Sequence, residues 1–203
     1  MRTLFTIVVL FLFSSTLCAS SFSKEKLHFD VFLLGNKIGV MSVSKELIND
    51  TVEYILHSYS KAKILWMEYE DVSHIRVRYV RDKLFYVYYY DDLNKNRKYF
   101  TELIFDGKQY IATTKSGTRN VIPENYPGLM TLYFKEPVNV SKIYFEAQLF
   151  TANLEKINDG HYKFTTKDGN ENEYIYRDGK IDEMLFRTPI ATIRMKRVSN
   201  PAK

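Results

Sequence analysis

The sequence predicts a mainly β protein: a strongly curved antiparallel sheet, an open or half barrel, with one short helix packed against it. Three observations carry that expectation. The chain holds 16 Tyr and 14 Phe in 203 residues, an aromatic load that suits the half-buried faces of strands. Apolar and polar residues alternate in several short runs, the period of a strand with one wet face. Asp-Gly pairs recur at 106–107, 159–160, 168–169 and 178–179. Both central residues of a tight hairpin take positive φ, so this dipeptide favours neighbouring antiparallel strands.

The chain opens on a different pattern. Arg2 precedes the stretch from Leu4 to Phe13, in which only Thr6 is not apolar, and small or polar residues run from Ser14 to Ser21 around Leu17, Cys18 and Ala19. A positive end, an apolar segment and a small-residue region form a secretory signal peptide. The segment is shorter than the roughly 20 residues that span hydrocarbon. Residues 1–20 are therefore expected to be a signal peptide, cut somewhere within 18–21, with a single β-rich domain over 21–203. Leu17 stands where a lipoprotein signal carries a small residue, so lipid anchoring at Cys18 is not expected. The expected location is the periplasm or the extracellular space. A cut after Cys18 leaves a chain without cysteine, and a domain of about 180 residues buries enough core to fold without bridges.

Within the domain, Leu27, Phe29, Val31 and Leu33 alternate with polar His28 and Asp30. Gly35, Asn36 and Lys37 read as a tight turn, after which Ile38, Met41 and Val43 resume a strand. Ile75, Val77 and Tyr79 alternate with Arg76 and Arg78, the cleanest half-buried strand pattern. From Leu84 to Tyr90 every residue is apolar or aromatic, so this strand is covered on both faces or meets water through its tyrosine hydroxyls. Between Pro127 and Pro137, Leu129, Leu132 and Tyr133 fall at helical spacing, which places the one expected helix there, across the concave side of the sheet.

Chemical motifs are scarce. His28, His57, His74 and His161 lie at no metal-ligand spacing, and the chain has neither a Gly-x-Ser-x-Gly elbow nor a glycine-rich phosphate loop. No catalytic residue, metal or cofactor is therefore assigned. The formal charge of +5 is scattered. Arg76, Arg78, Arg81 and Lys83 form the densest group and Arg194, Lys196 and Arg197 the next, without a nucleic-acid motif. These read as solvated strand faces, with a basic face turned to an anionic membrane surface as the second reading. Glu68 and Glu70 share one face of a strand and would serve a glycan hydrolase only if they sat in a cleft, roughly 5–9.5 Å apart. Trp66, the sole tryptophan, lies close to Tyr69. These two, with Leu129, Leu132 and Tyr133, make up the candidate ligand-binding set, on the argument that a sheet wrapped over a helix leaves an apolar groove.

Several strings carry a resemblance: Phe29 to Gly39, Lys61 to Trp66, Leu132 to Pro137, Gly179 to Met184 and Ile190 to Ile193. With these the chain resembles a family of uncharacterised exported proteins of diderm bacteria, a domain of unknown function. The resemblance covers nearly all of the mature chain and implies no activity or site residues. The layout is also similar, at the level of architecture alone, to periplasmic lipoprotein carriers, and architecture does not imply function. Three functions follow as expectations, in this order: a non-catalytic periplasmic protein that binds or shields a hydrophobic ligand such as a lipid; a structural or interaction protein of the envelope, with an envelope protein as partner; and, well behind, a glycan hydrolase. The oligomeric state is not read from the sequence.

Overall fold

The structure, a computed structural model, describes residues 22–64, 66–189 and 191–199; the signal-peptide and Cys18 readings lie outside them. Eight strands follow one another from the start: β1 Phe22–Leu33, β2 Asn36–Ile48, β3 Thr51–Ile64, β4 Met67–Val80, β5 Lys83–Leu93, β6 Asn96–Phe105, β7 Tyr110–Thr114 and β8 Gly117–Val121. After an irregular stretch come the short ribbon β9 Lys142–Phe145 with β10 Phe150–Asn153, then β11 Glu155–Asn158, β12 His161–Thr165, β13 Glu171–Arg177, β14 Lys180–Arg187 and β15 Thr192–Arg197.

Thirteen of these strands form one antiparallel sheet in the order β11-β12-β13-β14-β15-β1-β2-β3-β4-β5-β6-β7-β8. The sheet is not closed. Every neighbouring pair is a sequence-local hairpin except β15 with β1, where Leu33 pairs with Ile193 and Phe29 with Arg197. The first and last strands of the domain therefore meet in mid-sheet, and the segment from 122 to 154 connects the sheet's two ends. The curvature follows from who touches whom: Tyr89 of β5 and Phe164 of β12 stand far apart in strand order, yet both border one cavity. The Tyr99 hydroxyl of β6 reaches Asp168, in the β12–β13 turn, at 3.2 Å.

The connecting segment fills the concave side as a plug. Leu129, Met130, Leu132 and Tyr133 are buried in it together with Ile143, Tyr144 and Leu154, in one cluster with Phe29, Val31, Val43, Val77, Val87 and Leu103 of the sheet. Packing of the sheet around this segment, rather than pairing of its edges, gives the domain a single core.

Several expectations hold and others are corrected. Leu27, Phe29, Val31 and Leu33 are all buried, as their alternation requires, and the four Asp-Gly pairs all lie between consecutive strands. The first turn sits one residue earlier than read: Leu34 and Gly35 are its centre, with φ of 49° and 81°. The expected short helix is a single 3-10 turn over Leu129–Tyr133, and the described residues contain no α-helix. Leu129, Met130, Leu132 and Tyr133 of this turn are all buried, so it lacks the wet face of an amphipathic helix. The aromatic strand β5 alternates after all: Val87 and Tyr89 point inward, while Tyr86, Tyr88 and Tyr90 are half-buried on the other face. A register shift beside Tyr79 sets Leu84 inward as well, which hides the period in the sequence.

Candidate functional site: an apolar cavity beneath the plug

The plug is held by a buried carboxylate. Glu146 is 1% exposed. Its Oε1 accepts the Tyr79 hydroxyl at 2.8 Å, and its Oε2 accepts the backbone N–H of Leu129 at 2.9 Å. The N–H of Met130 approaches Oε1 at 3.5 Å. A 3-10 turn leaves its first N–H groups unpaired, and Gly128 before it offers no side-chain cap, so Glu146 supplies the acceptors from across the core. Burial pushes this carboxyl up to about 7, against the pull of its own hydrogen bonds.

Between the plug and the sheet lies a cavity of about 220 Å³. Leu129, Tyr133 and Phe145 line its plug side, and Met41, Leu56 and Ile75 are among its sheet residues. One part of the wall is polar, formed by Ser58, Asp71, Ser73 and Asn172. Tyr174 also borders the cavity; it is fully buried, and its hydroxyl makes no hydrogen bond of good geometry, with the Tyr133 side chain as its polar neighbour. Its neighbour Tyr133 meets it edge-on, with ring centroids 6.1 Å apart. Asp71 lies against Asp91 of the next strand, and the Ser73 hydroxyl donates to Asp91 at 3.1 Å. Burial and the adjacent Asp91 push the Asp71 carboxyl up to about 7. An apolar pocket with a few convergent polar groups is the usual form of a small-molecule site. Its size sets a limit, since engineered apolar cavities of roughly 150 Å³ take up benzene. A ring or a short chain fits here, and a whole lipid does not.

The five residues of the candidate set separate. Leu129 and Tyr133 border the cavity. Leu132 is buried on the plug's other side, where its carbonyl accepts the Tyr176 hydroxyl at 2.6 Å. Trp66 stands in the β3–β4 turn, 79% exposed, and Tyr69 follows on β4, half-buried; neither borders the cavity. Glu68 is exposed and ion-paired with Lys61 at 3.5 Å, and neither Glu68 nor Glu70 borders the cavity. Of the basic groups, Arg78, Arg81 and Arg194 are ion-paired with Glu53, Asp50 and Glu183. No group of three metal-binding side chains occurs among the described residues.

Residues 29–198 match the family model of a domain of unknown function, DUF6134. The chain belongs to that family. The match runs from Phe29, within β1, to Val198, just past β15. No curated protein and no solved structure matches the chain.

Sequence reasoning passed over Glu146, Asp71 and Tyr174. Glu146 and Tyr174 each stand within a strand-like run, and only the non-local packing of plug on sheet buries them. Asp71 had a local signal, since it stands two residues before Ser73 on a face otherwise apolar.

Proposed function

We propose that this family member is an exported, non-catalytic protein that binds a small hydrophobic ligand, or the end of a lipid chain, in the cavity between plug and sheet. The observation that carries the reading is the cavity itself: a partly open apolar space of about 220 Å³ with a polar wall, bordered by the buried phenol of Tyr174. Protein interiors pack to crystal-like density, and a stable fold gains nothing from a void. The signal-like first residues support export.

The test is titration of the mature protein with the uncharged dye N-phenylnaphthylamine, together with native mass spectrometry of protein purified without detergent. The expected result is saturable fluorescence that Ile75→Trp, which fills the cavity, abolishes without lowering the melting temperature. A protein that takes up no dye and carries no extractable small molecule would overturn the reading.

An envelope interaction protein is the second reading, favoured by the extent to which its own aromatics fill the core, with Phe29, Tyr162, Phe164 and Tyr174 all fully buried. Its sheet edges argue against strand addition as the mode of contact. β8 and β11 are five and four residues long and carry Arg119, Glu155 and Lys156, and short charged edges resist pairing.

A further inference from the structure

Because the sheet does not close, its two ends leave a seam. A cleft of about 320 Å³ lies there. One lip is the β6–β8 end of the sheet, with Lys98, Lys115 and Arg119; the other is the β12–β13 turn, with Lys167 and Asp168. The floor is the β9–β10 turn at Ala147 and Gln148, fixed by the Thr101 hydroxyl, which donates to the Ala147 carbonyl at 2.8 Å.

Four cations thus face one cleft, and among the described residues none has an ion-pair partner. The Lys115 ammonium donates to the Arg97 carbonyl at 2.7 Å. Those of Lys98 and Lys167 lie over the rings of Tyr99 and Phe150, at 5.2 and 5.0 Å from the centroids. The acid within the cleft, Asp168, is engaged by the Tyr99 hydroxyl. This contrasts with the strand faces, where Arg78, Arg81 and Arg194 each have a carboxylate. Tyr89 borders both this cleft and the apolar cavity, and stands between them. The acids beyond Tyr89 are Asp71 and Asp91, and the field of Lys98 reaches Asp71.

We infer that the seam takes the anionic head of an amphiphile, a carboxylate or a phosphate, whose short chain lies in the adjoining cavity. The inference rests on the proposed function and adds the chemistry of the ligand's polar end. Unpaired cations converging on a cleft raise the local concentration of anions, and ammonium groups recognise carboxylate and phosphate oxygens as point charges. The apolar cavity next to them selects an anion that carries a hydrocarbon.

The test is displacement of N-phenylnaphthylamine from the full mature chain by octanoate, octyl phosphate, octanol and octylamine. In low salt, one or both anions displace the dye at concentrations about tenfold below octanol and octylamine. Which anion is the stronger separates a fatty-acid ligand from a phosphorylated one. Raising the salt narrows the gap, because exposed charges are screened. The double variant Lys115→Glu/Lys167→Glu, whose changes lie in or beside exposed turns, removes the anion advantage and leaves dye affinity and octanol displacement unchanged. Dye binding with equal displacement by all four compounds, or an anion preference that survives the double charge reversal, would overturn the inference and leave the cavity reading standing. Absence of dye binding in a protein that also carries no extractable small molecule would overturn both.

Discussion

The Tyr79 hydroxyl donates a 2.8 Å hydrogen bond to Glu146 Oε1, tying β4 to the plug across 67 residues of chain. Two backbone N–H groups of the 3-10 turn share the same carboxylate, so one side chain sets the plug's position over the cavity. Glu146→Ala leaves three buried donors without an acceptor and is expected to cost roughly 2–5 kcal/mol. Tyr79→Phe removes one of the three and costs roughly 1–3 kcal/mol; urea unfolding measures both. The carboxyl, raised from 4.5 to about 7 by burial, keeps its proton in the folded chain over a window where the unfolded chain has lost it. Its contribution is therefore full below about pH 4.5 and is lost as pH rises through about 7. Glu146→Gln should lessen the fall in stability across that window, leaving the share of Asp71, which is raised to about 7 as well, and an unchanged slope would assign the pH dependence to another group.

Gly128 is small because of this arrangement. Its backbone is extended, with φ of −72°, so conformational freedom is not the reason. A Cβ there would stand 2.1 Å from both Glu146 Oε1 and the Tyr79 hydroxyl. Gly128→Ala should therefore displace the latch and lower stability by roughly 3 kcal/mol or more, within the overpacking and broken-network range. Combined with Tyr79→Phe, the loss should be smaller than the sum of the two single losses, because both changes break the same contact. Additive losses would show that the glycine and the latch act separately.

How much of this was legible follows the range of the interactions. The β1 alternation and the Asp-Gly turns are set by neighbours in the chain, and the sequence reading placed them well. The pairing of β15 with β1 joins residues at opposite ends of the domain, and no local pattern announces it. Leu34 at a positive-φ turn centre is atypical, because the hairpin twist overrides the residue's own preference. Leu129 and Tyr133 carry a local signal in their apolar spacing, and both border the cavity. Trp66 misled because a large aromatic usually belongs to a core or a pocket, whereas here it caps an exposed hairpin.

Tyr174 and Tyr176 offer a paired comparison two residues apart on β13. The Tyr176 hydroxyl donates to the Leu132 carbonyl at 2.6 Å, whereas the Tyr174 hydroxyl makes no bond of good geometry and has only the Tyr133 side chain as a polar neighbour. Tyr176→Phe is expected to cost about 1–2 kcal/mol. Tyr174→Phe should be neutral or slightly stabilising, since it removes a desolvated hydroxyl that makes no bond of good geometry. Urea unfolding of the two variants decides the matter, and equal losses would mean that Tyr174 is partnered in solution.

His57 and His74 face each other across β3 and β4 with their Nδ1 atoms 3.0 Å apart and ring centroids at 4.4 Å. A contact between two ring nitrogens needs one of them to be neutral and to accept from the other. Burial, then the His57 charge, then Arg76 hold His74 below its usual value of 6.5. In the window beneath 6.5, the unfolded chain thus binds a proton that the folded chain resists. Stability therefore rises with pH through this range and is lost on acidification. Glu146 and Asp71, both raised to about 7, act with the opposite sign as pH rises toward 7, so the intact chain shows the sum of opposed slopes. Melting curves from pH 5 to 8 on a background carrying both Glu146→Gln and Asp71→Asn isolate the histidine part. His74→Gln on that background should remove the remaining loss of melting temperature toward acid pH. A profile that stays steep after all three substitutions would place the acid sensitivity outside this pair.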